Sequence, residues 1–129
     1  MDARELEKRT KEFGIRCLRL VDALPNKASA RAVAGQLSRS GLSVGANYRA
    51  STRARSRAEW LAKICIVLEE SDESAYWLEI IIDSKMLSTS LVEPLRAEAR
   101  ELVAIFSTAR ATARVKNRQV ATSPNRKIP

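Results

Sequence analysis

Between Gly45 and Pro94 the chain contains neither glycine nor proline. Little else in the sequence limits the fold so strongly. Ser56 lies within this stretch and Glu59 follows three residues later, the spacing of a capping box. A helix from Arg57 to about Met86 is predicted, roughly 30 residues and about 45 Å long. Leu61, Ile64, Leu68, Ser71, Ala75, Leu78 and Ile82 recur at alternating steps of three and four, which lines apolar or small side chains along one face. Trp60, Cys65, Val67, Ile81 and Met86 widen that face. Its width suits a bundle core better than a two-stranded seam.

The same helix carries a second row: Glu59, Lys63, Ile66, Glu70, Glu73, Trp77 and Ile80. At 100° per residue it lies about 140–160° around the axis from the first row. A lone bundle should be simply polar there. Ile66, Trp77 and Ile80 among Glu70 and Glu73 read instead as a subunit interface with apolar anchors and a charged rim. Scattered exposed apolar residues are the ordinary alternative.

The 129 residues fit one domain, and the 45% hydrophobic content is enough for one core. Aromatic residues are only 5%, so that core must be aliphatic and alanine-rich. Few glycines and prolines and no strand-like alternation point to an all-α fold. No run of about 20 apolar residues suggests a membrane span. The charged start, MDARELEKRTKEF, lacks the apolar core of a secretory signal, so a cytoplasmic location is expected.

Histidine is absent, which excludes imidazole-based catalysis and metal binding but leaves carboxylate and lysine chemistry open. Cys17 and Cys65 fall on apolar faces and read as buried thiols. Glu69, Glu70, Asp72 and Glu73 cluster on the long helix, yet a di-iron bundle would pair its glutamates with histidines. Salt bridges to arginines are the expected role. No cofactor, metal site or catalytic residue is assigned, and the protein is read as non-enzymatic.

Net charge is +8 and unevenly spread. Residues 23–58 hold seven basic and no acidic side chains; residues 59–106 hold four basic and ten acidic; residues 107–129 hold six basic and none acidic. Such asymmetry suits a polyanion or an acidic protein partner, or neighbouring subunits whose charges face each other.

Four helices are predicted, over residues 6–24, 29–50, 57–87 and 91–109. The first starts near Leu6, or at a Thr10 cap, and ends at Leu24-Pro25. Its Gly14 is either a close-packing position or a tolerated surface glycine. In the second, Val33, Leu37, Val44 and Tyr48 form an apolar stripe beside a stripe of small residues, Ala34, Ser38, Gly41 and Gly45. Tight helix packing there is the main expectation; a break at Ser40-Gly41 is the alternative. Asn47 is expected to bond across helices. The fourth is capped by Ser90 or begins at Pro94, with Leu91, Leu95, Ala99, Leu102 and Phe106 as its core stripe. Residues 1–109 thus form the bundle, and 110–129 a basic, disordered tail. Short connections favour an antiparallel up-down order.

Arg53, Arg55 and Arg57 alternate with small residues at the turn before the long helix, and Arg49 precedes them. Arginines in such a corner can grip phosphates; an intersubunit role or a plain solvated turn are the alternatives. The candidate nucleic-acid-binding set is Arg39, Arg49, Arg53, Arg55, Arg57, Arg110, Arg114, Lys116 and Arg118. The candidate oligomer interface is Ile66, Glu70, Glu73, Trp77 and Ile80.

Several separated motifs resemble one family. They are Arg9-Thr10-Lys11-Glu12-Phe13, the run QLSRSGLSVGANYR from Gln36 to Arg49, Lys63-Ile64, and EESDESAYWLE from Glu69 to Glu79. Over about residues 6–109 they are similar to the four-helix-bundle proteins encoded within intervening sequences of 23S ribosomal RNA genes, also labelled S23 ribosomal proteins. Related members are the accessory variability proteins of diversity-generating retroelements. The resemblance implies an antiparallel bundle assembled into a homo-oligomeric ring, typically a pentamer. The retroelement members are similar basic rings that associate with a reverse transcriptase and its RNA, so the expected partners of this chain are RNA or DNA gripped by its arginines, or a reverse transcriptase. Where the family usually has Glu-Ala after Asn-Tyr-Arg, this chain has Ala50-Ser51. The missing carboxylate makes this corner more positive. The family tryptophan corresponds to Trp77.

Overall fold

A computed structural model describes residues 1–122, and side chains through Lys116. Four helices follow one another: α1 (Ala3–Asp22), α2 (Ala28–Thr52), α3 (Arg57–Asp83) and α4 (Thr89–Thr122). Each packs against its neighbours in sequence, and α4 closes the bundle against α1 through the thinnest seam. Contacts run in opposite directions along each pair: Gly45 meets Thr10 where Gly41 meets Cys17, and Asp72 meets Arg100 where Glu79 meets Arg96. The fold is therefore an antiparallel up-down four-helix bundle. Among the described residues no helix is long and apolar enough to cross a membrane.

Local chemistry sets the ends. Asp2, rather than Thr10, caps α1 by accepting from the Glu5 N–H at 2.8 Å. Thr10 is buried inside the helix and donates to the Leu6 carbonyl. Ser56 caps α3, accepting from the Glu59 N–H at 3.0 Å, while Glu59 reaches back to the Arg55 N–H rather than to that of Ser56. The far end of α3 falls short of the expected Leu87. Lys85 adopts φ 60, and the Met86 and Lys85 N–H groups return to the carbonyls of Ile81 and Ile82. That is a Schellman turn built without the usual glycine. α4 begins at Thr89, with Pro94 inside it rather than first, and continues to Thr122 instead of fading after Ala109.

The core is aliphatic with few rings. Phe13, Leu37, Ile64, Leu78, Ile81, Leu102 and Phe106 are almost wholly buried, and Tyr48 stacks at a tilt on Phe106. The α3 stripe is buried from Ile64 to Leu78, but Leu61 and Ile82 are only half-buried. On α4, Val92 is buried and Leu91 is exposed, one residue off the expected stripe. α2 is unbroken at Ser40-Gly41. Its small residues let α1 approach: a Cβ on Gly41 would lie 2.7 Å from the Cys17 sulfur, and one on Gly45 would lie 3.1 Å from the Thr10 carbonyl oxygen. Gly14 belongs to the same contact, 3.2 Å from the Gly41 carbonyl oxygen by the same construction.

Buried hydroxyls are satisfied. Ser74 donates to Ser40 across the α2–α3 contact at 2.9 Å. Asn47 does not bridge helices; it donates to the Ser43 carbonyl of its own helix at 2.9 Å.

Candidate nucleic-acid interface

The antiparallel order brings the start of α3 beside the last part of α4. Arg53 and Arg57 flank the short turn between α2 and α3; both are exposed, and neither has a carboxylate partner among the described residues. Arg55 is 92% exposed and reaches Glu59 at 3.8 Å. Arg49, one turn back on α2, touches Glu7 only at 4.0 Å. On α4, Ala113 is buried, so the helix still packs beyond Ala109, while Arg114 and Lys116 face solvent and Arg110 is half-buried. A cavity of about 320 Å³ separates the two elements, lined by Arg57 and Trp60 from α3 and by Ala109, Thr112, Ala113 and Lys116 from α4. The arginine corner and the basic segment after Ala109 are thus parts of one bundle end. Arg118 lies on α4, but its side chain is outside the described residues, as are residues 123–129, to which part of the expected disorder applied.

Arg39 is not part of this end. It sits fourteen residues before Arg53, about 21 Å along the helix axis. There it clamps two α3 carboxylates, Glu70 at 3.1 Å and Glu73 more closely. The clamp holds the Glu73 carboxyl below its usual range, first through the Arg39 hydrogen bond; burial opposes this, while a bond from Trp77 Nε1 at 3.3 Å helps.

The second row of α3 is accordingly a flank. Val67, Ser74 and Ile81 are buried beside the first row, which turns the core direction so that Ile66, Glu70, Glu73, Trp77 and Ile80 lean towards α2. All five are half-buried. On the side towards α4 stand Asp72 and Glu79, paired with Arg100 and Arg96. Tyr76, 53% exposed and edge-on to Trp77, is the one large hydrophobic side chain of α3 that is exposed. Row-spacing did not single it out, because only burial on the neighbouring row tells which flank faces outward.

The acidic cluster is mostly neutralised within the chain: Glu70 and Glu73 by Arg39, and Asp72 by Arg100 at 3.4 Å. Among the described residues no group of side chains is placed to hold a metal ion. Cys17 is sealed in the α1–α2 contact, where burial pushes its thiol up to about 12. Cys65 is half-exposed on α3, and the two thiols are free.

Residues 4–108 match the family described as 23S rRNA-intervening sequence protein. The fold is similar to a crystal structure of a protein with unknown function from the S23 ribosomal protein family of Bacteroides thetaiotaomicron VPI-5482. That protein is 30% identical, with a TM-score of 0.76 over 81% of this chain and 97% of the other. No curated protein matches the sequence. The part of α4 beyond residue 108 lies outside the family match.

Proposed function

The chain belongs to the 23S rRNA-intervening sequence protein family, and from that premise we propose that it is a non-catalytic, nucleic-acid-binding scaffold. The observation that carries this reading is the meeting of two basic segments at one end of the bundle. Arg53, Arg55 and Arg57 stand there beside Arg114 and Lys116, and Glu59 is the one carboxylate within ion-pair reach of these five side chains among the described residues. Guanidinium and ammonium groups left to solvent in this way match a phosphate backbone and need read no sequence. Arg39 is withdrawn from the set, since its charge is spent on Glu70 and Glu73.

The scaffold works as a homo-oligomeric ring, a pentamer as in the family it resembles. The half-buried Trp77 and Ile80, with exposed Tyr76 beside them, supply the apolar anchors such a contact needs. Light scattering after size-exclusion chromatography tests the assembly: a mass near five protomers is expected, reduced by Trp77→Ala with helicity kept. An unchanged mass would remove this flank from the interface. Fluorescence anisotropy with a labelled single strand tests binding. Replacing Arg53, Arg55 and Arg57 together by Ser should weaken it several-fold at physiological salt. Equal binding by the triple variant would take the corner out of the site and shift weight to a protein-adaptor role.

A further inference from the structure

We propose that the cavity between α3 and α4 is a nucleobase-stacking site, with Trp60 as its platform and Arg57 and Lys116 holding the attached phosphates. The inference rests on the nucleic-acid reading above and gives it a specific ligand chemistry: one unpaired nucleotide of a single strand. On the α4 side the lining includes the small side chains of Ala109 and Ala113, one turn apart, which leave room beside Trp60. Its volume of about 320 Å³ reaches the range that holds small ligands. Its floor is apolar, its only charged lining residues are Arg57 and Lys116, and Thr112 adds a hydroxyl that can donate or accept.

Two other cavities lack this combination. One between α1 and α2 mixes Glu7 with Lys11 and Arg49. One between α1 and α4 has Arg16 and Arg19 but no aromatic side chain. Aromatic faces take any base, and flanking cations track the backbone, which is how single strands are held without sequence preference. The α4 wall of the cavity, Ala109 to Lys116, lies beyond the residues that match the family. The α4 half of the site therefore belongs to the extension of the bundle, while Arg57 and Trp60 lie within the matched residues.

The test uses the full chain and two labelled ten-residue strands of equal charge, oligothymidylate and an abasic strand. Oligothymidylate should bind about 5-fold to 100-fold more tightly, the range expected for stacking one base. Trp60→Leu should erase that preference and leave abasic binding unchanged. Ala109→Leu should do the same by filling the cavity while keeping both the indole and every charge. Equal affinity of the wild-type chain for the two strands would overturn the stacking site even if a variant failed to fold, and would leave the basic end as a general phosphate-binding surface. So would a base preference that survives both substitutions. Failure of the wild-type chain to bind either strand at low salt would overturn the nucleic-acid reading itself.

Discussion

Two glycines of α2, Gly35 and Gly41, have different surroundings, and only the packing tells them apart. At Gly41 an added Cβ would meet the Cys17 sulfur at 2.7 Å and its Cβ at 2.9 Å, and the neighbouring Gly14 and Gly45 positions hold α1 and α2 backbone close on the same contact. Gly41→Ala should therefore destabilise the bundle by about 1–3 kcal/mol, as overpacking does. Adding Cys17→Ala should recover part of that loss. At Gly35 nothing lies within 4 Å of the added atom. Gly35→Ala should stabilise by about 0.5–1 kcal/mol, because alanine suits a helix interior and restrains the unfolded chain. Urea denaturation of the three variants checks the signs; a neutral Gly41→Ala would mean that α1 can move away freely. The stripe of small residues on α2 was legible as a close-approach surface because its spacing is helical. The Ser40–Ser74 bond was not, since a serine carries no hydropathy signal to mark it as buried. Leu91 and Val92 are adjacent and both apolar, so their order on the face depended on a helix phase that the sequence left uncertain.

Among the elements, the four helices and the capped start of α3 could be read directly, and the ends that could not each depend on something non-local or unusual. α3 stops at Asp83 through a left-handed lysine, where sequence rules look for glycine. α4 runs on because Ala113 packs down beside α3, whereas its basic composition alone read as a tail. The contact between α2 and α3 adds a pH-dependent clamp. The folded Glu73 carboxyl sits below its ordinary value, so its contribution is fully present above the unfolded pKa of about 4.3. It is lost as pH falls through the lower folded value. Glu73→Gln should be less stable than the wild type at pH 7, and the gap should narrow as pH drops below about 4. Thermal unfolding across pH 3–7 reads this out. A gap that stays constant over that range would mean that Glu73 contributes shape rather than charge. Arg39 is too exposed for the effect to be large.

For the molecule as a whole, the charge blocks seen along the chain become a polarity in space. Residues 23–58 carry seven basic side chains and no acidic ones, residues 107–129 carry six and none, and the fold places the end of the first block against the start of the second. The acidic block between them is drawn instead into pairs with Arg39, Arg96 and Arg100 along the sides of the bundle. The sequence could give the blocks but not their meeting, which follows from antiparallel order and from α4 outlasting its expected end. If the two blocks act as one surface, removing the charges of the second should change how binding responds to salt as well as its strength. Each phosphate neutralised on a single strand steepens the fall of log affinity with log salt by about 0.7. Replacing Arg110, Arg114, Lys116 and Arg118 together by Gln keeps helix propensity and should flatten that slope by up to about 3. A smaller decrease would count the members that touch phosphate. An unchanged slope would mean that the α4 extension stands clear of the strand, leaving the arginine corner to hold it alone.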